Sequence, residues 1–239
     1  MSSDAFLSGR SSRTEIPLAC NSLDMLSPVY AERRISNCFT DKGDGMITET
    51  IKGHELEFIE DGHIYLVDGI IVPSITQILK VRFGNKYANV SDETLRQASE
   101  AGTRVHAAIE EYVQFGTISD LEEVRGFAFL QKHYGFAVIA SERPVILFDG
   151  DEPIAAGRFD LCLRMDGQLG GADIKRTATL DKDYLFYQLN LYRVAYRQSF
   201  GEEWTFLRGI HLRGDKRKFV EIPIGDAWEI VEEYRKAAK

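Results

Sequence analysis

Apolar and polar positions change their spacing several times along the chain, and each change predicts an element. Residues 55–72 (ELEFIEDGHIYLVDGIIV) alternate apolar and polar residues, interrupted at Asp61-Gly62 and Asp68-Gly69. A period of two puts one face in a core and the other in water, so this segment predicts short antiparallel strands joined by turns. Pro73 then opens PSITQILKV, a short helix with proline near its first turn, where the missing N–H costs nothing. From Ser91 or Asp92 the steps become three and four: Leu95, Ala98, Gly102, Val105, Ile109 and Tyr112 make one stripe. The stripe predicts a long amphipathic helix to about Phe115, capped by a side-chain oxygen at its start. A second helix is expected over 120–134, then strands over 138–148, 154–164 and 168–175. A helix from about Lys182 to Phe200 follows, then a hairpin of 204–213 and 217–222 around Gly214-Asp215, and an amphipathic helix over 226–238. Helix, three strands, helix, strand is the order of a mixed α/β domain.

Residues 1–50 depart from this regularity. They are rich in Ser, Asn and Asp and hold no period, so they read as an N-terminal extension that orders only by docking. The body starts near His54, with 51–239 as the domain proper. A length of 239 residues fits one domain with such an appendage. Hydrophobic residues at 44% and charged residues at 28% are a globular balance that excludes wholesale disorder. No apolar run approaches the roughly 18 residues of a membrane span. The first residues lack the apolar core of a signal peptide. Cys20, Cys38 and Cys162 are too few and too scattered for a disulfide framework or a four-thiolate metal site. A reducing, cytoplasmic location is therefore expected. The formal charge, 29 − 37 = −8, speaks against a protein that coats nucleic acid by charge alone. An enzyme that reaches DNA through bound metal and a local basic groove stays open, because its carboxylates contribute to that charge.

The stretch IAAGRFDLCLRMDGQLGGADIK (154–175) carries the most chemistry. Asp166-Gly167 is a strong two-residue hairpin signal. With those residues as the loop, Met165 opposes Gln168, Leu161 opposes Ala172, Asp160 opposes Asp173, Phe159 opposes Ile174 and Arg158 opposes Lys175. One face then carries Phe159, Leu161, Leu163, Ala172 and Ile174, and the other Arg158, Asp160, Asp173 and Lys175. Opposed carboxylates about 5 Å apart destabilise a sheet. A divalent cation shared by both would relieve the repulsion. A bulge at Gly170-Gly171 would shift this register. The plain alternative is a solvated network of salt bridges.

These residues resemble a family. Asp160, twelve intervening residues, and Asp173-Ile174-Lys175 look like the signature of the PD-(D/E)XK nucleases. GTRVHAAIEEY (102–112) resembles the His-bearing helix of the RecB-type exonuclease branch, and YQLNLYRVAY (187–196) its Gln-x3-Tyr motif. SERPV (141–145) resembles the Glu-bearing first strand, and HIYLVDGIIVPSITQIL (63–79) is similar to the lead-in of phage and mitochondrial exonucleases of this group. The likeness spans roughly residues 55–212 and implies a restriction-endonuclease-like core, a central mixed sheet flanked by helices. Phe159 stands where the family name has proline, and the cysteines do not suit an iron–sulfur cluster.

The resemblance implies roles residue by residue. His106, Asp160, Asp173 and the Ile174 main-chain carbonyl would bind Mg²⁺ or Mn²⁺, with the imidazole making Mn²⁺ a good activator. Lys175 would orient the attacking water and stabilise charge on the phosphate; acting also as general base would need a depressed pKa. Glu142 would reach the metal through water, or else cap or pair locally. Gln188 and Tyr192, four apart on one helix face, would contact the scissile strand or orient Lys175; the alternative is a polar edge of a packed helix. Glu110, one turn from His106, reads as solvent-facing charge or as a supporting carboxylate. Arg176, Lys182, Arg193, Arg197, Arg208, Arg213, Lys216, Arg217 and Lys218 make the C-terminal half locally basic and are candidates for phosphate contacts. Tyr184, Phe186, Tyr187 and Tyr196 are candidates for stacking on unpaired bases. The expected function is a metal-dependent DNA exonuclease in end processing, recombination, repair or phage replication. An endonuclease with the same residues, or a binding module with a lapsed site, are the alternatives. DNA ends are the expected partner, and the N-terminal extension offers a place for a protein partner.

Overall fold

The computed structural model describes residues 40–41 and 46–238. Most of the stretch read as an N-terminal extension lies outside them. A first sheet is an antiparallel meander of β1 (Thr40–Asp41), β2 (Met46–Ile51), β3 (His54–Ile59), β4 (Ile64–Val67) and β5 (Ile70–Val72). The sheet thus begins before His54, where the alternation places it. The turns at Lys52-Gly53 and Asp68-Gly69 hold both central residues at positive φ, the turn whose twist suits a two-residue hairpin.

Helix α1 (Ile75–Phe83) starts where Pro73 forecasts it. Ser74 and Gln77 close a capping box: the Gln77 N–H donates to Ser74 Oγ at 3.0 Å, and the Ser74 N–H donates to Gln77 Oε1 at 2.8 Å. Replacing Ser74 with alanine strands a donor and is expected to cost about 1 kcal/mol, readable as a lower urea midpoint at unchanged slope. A short 3₁₀ turn (Gly84–Tyr87) leads on to α2 (Asp92–Phe115), capped by Ser91, and α3 (Glu122–Tyr134).

The second sheet has strands β6 (Ala137–Asp149), β7 (Glu152–Met165), β8 (Gln168–Lys175), β9 (Phe206–Arg213) and β10 (Lys216–Ile222), in the order β10-β9-β8-β7-β6. Every neighbouring pair is antiparallel except β8 and β9, which α4 (Lys182–Phe200) joins as a crossover. Helix α5 (Trp228–Ala237) ends the chain. The protein is a mixed α/β structure, with two sheets and five α-helices among the described residues.

Three apolar clusters hold these layers. On one face of the second sheet, Ile75, Ile78 and Leu79 of α1, Leu185, Leu189 and Tyr192 of α4, and Ile230 and Val231 of α5 pack with Cys162, Leu207 and Trp204. On the other face, Val105 and Ile109 of α2 and Val124 and Phe127 of α3 meet Leu161, Leu163, Ala172 and Ile174. The first sheet sets Leu56, Phe58 and Tyr65 against Ile146, Phe148 and Ala156, at one end of β6 and β7. A single parallel bridge, Ser74 to Ala156, ties the entry of α1 to β7.

Candidate active site

The β7–β8 hairpin keeps its expected register from Met165 and Gln168 to Leu161 and Ala172, with no bulge at Gly170-Gly171. The ladder then stops. Beyond Leu161, β7 pairs with β6 and, at Ala156, bridges to Ser74, while β8 continues in parallel with β9 as far as Lys175 opposite His211. Asp160, Phe159 and Arg158 therefore do not oppose Asp173, Ile174 and Lys175 in a ladder, as the alternation predicts. Asp160 instead turns its carboxylate back, and Oδ2 accepts the Ile174 N–H at 2.7 Å. Phe159 also leaves the face predicted for it. It packs on the α4 side, with ring centroids 5.2 Å from Trp204 and 5.7 Å from Tyr196. The alternation rule needs an unbroken ladder, and the ladder has ended there.

Released from pairing, this end of β7 and β8 opens onto a cavity of about 750 Å³. His106, Glu142, Asp160, Asp173, Lys175, Gln188 and Tyr192 all line it. They come from α2, β6, β7, β8 and α4. The Ile174 carbonyl reaches the same place, 3.1 Å from His106 Nε2. The other side of that imidazole, Nδ1, lies 3.4 Å from Glu142 Oε1 and 3.7 Å from Asp160 Oδ2. Glu142 sits at φ 48°, inside a strand, and the β6–β7 register passes from Ser141–Leu161 to Arg143–Phe159 without pairing it to Asp160. A non-glycine residue in that region is strained, and here the strain falls on the residue that meets His106. Glu142 also accepts from Arg158 at 2.9 Å, and the Arg158 guanidinium lies 5.0 Å from the centroid of the Phe58 ring.

Asp173 is 2% exposed. Its Oδ2 pairs with the Lys175 ammonium at 2.6 Å. Gln188 Oε1 is buried without a donor. Tyr192 has room for its ring because position 157 is glycine: a Cβ there would lie 2.9 Å from the Tyr192 hydroxyl oxygen.

The charges press on one another. Burial, then the neighbouring Asp173, pushes the Asp160 carboxyl up to about 7. Burial opposes a charged His106, yet Asp160, Glu142 and Asp173 outweigh it and raise the imidazole to about 9. Burial would raise Glu142, but His106 and Arg158 hold it below the usual carboxylate range. Lys175 is held up against burial by Asp173 and Asp160, which is the opposite of the depression a general base needs. Glu110 lines the cavity too, and burial with Glu142 raises its pKa, so it is not simply solvent-facing.

The donor set could hold a metal ion. Ligand atoms of His106, Glu142 and Asp160 lie within 4.8 Å of one another. Octahedral bonds of about 2.1 Å place adjacent ligands about 3 Å apart and opposite ones about 4 Å apart. The imidazole faces these carboxylates through Nδ1, 3.4 Å from Glu142 Oε1 and 3.7 Å from Asp160 Oδ2, while Nε2 donates to the Ile174 carbonyl. Asp173 stands beside this group, with one oxygen turned to Lys175. Millimolar Mn²⁺ is therefore expected to raise the melting temperature, by the equivalent of about 2.7 kcal/mol at a hundred times its Kd. Asp160→Asn should melt higher than the wild type in EDTA, because one buried charge is gone, and should lose most of the Mn²⁺ shift. A full Mn²⁺ shift in that variant would take Asp160 out of the ligand set.

Sequence reasoning missed one wall of the cavity. Phe58, Glu60, His63 and Tyr65 of the first sheet, Ser74 and Thr76 at the start of α1, and Arg158 complete the lining. Part of it lies in the 63–79 stretch that carried the resemblance, and His63 at φ 54° closes the Asp61-Gly62 turn. None of the basic residues proposed for phosphate contacts is among the described residues lining the cavity. Arg176 pairs with Glu123, Arg193 and Arg197 with Glu203, and Arg208 with Glu221. Tyr196 is core, stacked on Trp204, and Tyr187 donates to Glu229. Among the described residues, no helix is long and apolar enough to cross a membrane.

No protein-family model matches the chain, and no curated protein does. Among solved structures, one described as "Crystal structure of SSO0001" is similar over 70% of this chain and 74% of that one, at 16% identity and a TM-score of 0.41. That likeness is too slight to carry an argument, so the functional reading rests on the site.

Proposed function

We propose that the chain is a divalent-metal-dependent nuclease that hydrolyses DNA phosphodiester bonds, acting as an exonuclease of RecB type in end processing, recombination, repair or phage replication. One observation carries this reading: His106, Glu142, Asp160, Asp173, Lys175, Gln188 and Tyr192 line a single cavity although they come from five elements. A surface salt-bridge network has no reason to gather an imidazole, three carboxylates and a lysine on a concave wall, with a buried amide oxygen left without a donor among them.

His106 through Nδ1, Asp160 and Glu142 would hold the ion, with Asp173 and the Ile174 carbonyl beside them. When bound, Mg²⁺ or Mn²⁺ supplies Lewis-acid stabilisation of the phosphoryl oxygens and lowers the pKa of a coordinated water. The chain's own groups do the rest. Lys175, kept protonated by Asp173 and Asp160, places a positive charge where charge accumulates on the attacked phosphate and donates to the incoming water. Gln188, with its unpartnered Oε1, and Tyr192 line the same cavity and would contact the scissile strand. Arg158, braced by Glu142, faces the same space and suits a neighbouring phosphate.

The test incubates purified protein with end-labelled linear single- and double-stranded DNA beside closed circular DNA, in Mg²⁺, Mn²⁺ or EDTA. Metal-dependent loss of the linear forms alone is the expected result and reveals strand preference. Cutting of the circle would make the protein an endonuclease. Binding without cleavage in any metal would make it a module with a lapsed site.

A further inference from the structure

A second, smaller pocket of about 240 Å³ lies on the far side of Lys175, which is a wall of both cavities. Phe83, Lys86, Thr177, Thr179, Asp181 and Tyr184 form the rest of it. Resting on the nuclease reading, we infer that this pocket takes the base of a nucleotide flanking the scissile phosphate.

Four features favour a base. The Phe83 and Tyr184 rings meet edge to face at 5.4 Å, giving flat apolar wall of the kind a heterocycle packs on. Thr177 and Thr179 add polar atoms at the same wall, suited to the edge of a ring. The one carboxylate present, Asp181, is already committed: it pairs with Lys86 and accepts the Tyr184 N–H at 3.1 Å as the cap of α4. Among the described residues a metal finds no ligand set there, and the two ammonium groups on the wall, Lys86 and Lys175, already pair with Asp181 and Asp173, which weakens the pull on a free phosphate.

Continuity with the catalytic cavity is built into α4. Tyr184, Gln188 and Tyr192 follow at steps of four, so they share one face of the helix. Tyr184 lines the small pocket, and Gln188 and Tyr192 line the large one. The Lys175 ammonium lies 5.6 Å from the Tyr184 ring centroid and 2.6 Å from Asp173, between the two spaces. A phosphate held at Lys175 therefore has one nucleoside within reach of the Phe83–Tyr184 corner. The loop after β8 that bounds the pocket is held in place by His211, whose Nε2 donates to the Thr177 carbonyl at 2.7 Å.

The experiment is equilibrium dialysis of radiolabelled dAMP and dCMP with the full chain in EDTA, beside cleavage of linear DNA in Mn²⁺. Phe83→Leu keeps apolar bulk and removes the ring. Thr179→Trp, at an exposed position, fills the mouth without touching the core. Saturable nucleotide binding is expected, weakened at least tenfold in both variants, with 2-deoxyribose 5-phosphate a poor competitor. Equal competition by 2-deoxyribose 5-phosphate would make this a phosphate site and overturn the inference. So would nucleotide binding that is absent, or unchanged by Thr179→Trp. Nucleotide binding lost in the variants of a protein that cleaves nothing would keep the pocket and remove the nuclease reading instead.

Discussion

Asp173→Ala and Lys175→Ala are each expected to lower metal-dependent cleavage of linear DNA at least about 10³-fold, about 4 kcal/mol of transition-state stabilisation. The two residues act as one unit. Asp173 is buried and holds the Lys175 ammonium at 2.6 Å, while its charge is the main neighbour raising Asp160 after burial. Removing Asp173 therefore loosens the lysine and changes the charge of the ion site together. Removing Lys175 leaves the carboxylates but takes away the cation that, on the proposed reading, would stand beside the attacked phosphate. Because both substitutions disable the same step, the double variant should be little worse than either single one. Asp173→Asn keeps the shape of the side chain and separates charge from packing. It should lose cleavage as severely as alanine while its far-ultraviolet dichroism and urea midpoint stay near those of the wild type. Near-normal cleavage in all three variants, with the fold intact, would end the nuclease assignment.

Much of the frame that holds these residues is legible in the chain. Asp166-Gly167 sets the hairpin, and the register it dictates holds to Leu161 opposite Ala172. The steps of three and four from Leu95 to Tyr112 locate α2 behind Ser91, and Lys182–Phe200 is a helix with the bounds that its pattern predicts. Local rules suffice there because turn chemistry and periodicity act within a few residues. They fail where a contact far along the chain decides. The β7–β8 ladder ends at Leu161 and Ala172 with β9 alongside β8 and β6 alongside β7, and Phe159 swings toward Trp204 as a result. Met46–Ile51 (MITETI) holds its apolar residues at 46, 47 and 51, without the alternation that announces a strand, yet it pairs along its whole length with His54–Ile59. The basic C-terminal half looked like a phosphate-binding surface, but Arg176 is neutralised by Glu123, a residue 53 positions away. The gathering of His106 with Glu142 and Asp160 was not readable from spacing either. The three come from α2, β6 and β7, and only tertiary packing brings their ligand atoms within 4.8 Å of one another.

Gly170 and Gly171, a suspected bulge in the sequence, instead serve packing, and their substitutions should differ sharply. A Cβ on Gly171 would fall 2.2 Å from the Trp204 ring, and one on Gly170 would fall 2.3 Å from the Phe206 ring. Neither contact is tolerable, so the ring or the strand must move. Trp204 has nowhere to go: it is fully buried, stacked on Tyr196 at 4.7 Å and met edge-on by Phe159 at 5.2 Å. Phe206 is only partly buried and has space to rotate outward. Gly171→Ala is expected to lower stability by about 3 kcal/mol, the upper end for overpacking a rigid core, and Gly170→Ala by about 1 kcal/mol. Urea midpoints at unchanged slope measure both. Gly171 is also two residues from Asp173 on the same strand, so the shift that relieves the clash displaces the carboxylate, and cleavage should fall with stability in Gly171→Ala alone. A double-mutant cycle isolates the cause. Trp204→Ala empties the space the new methyl would occupy, so Gly171→Ala made in that background should cost little further, a coupling of about 2 kcal/mol or more. Additive costs would mean that Gly171 is required for its backbone and not for the indole packed against it.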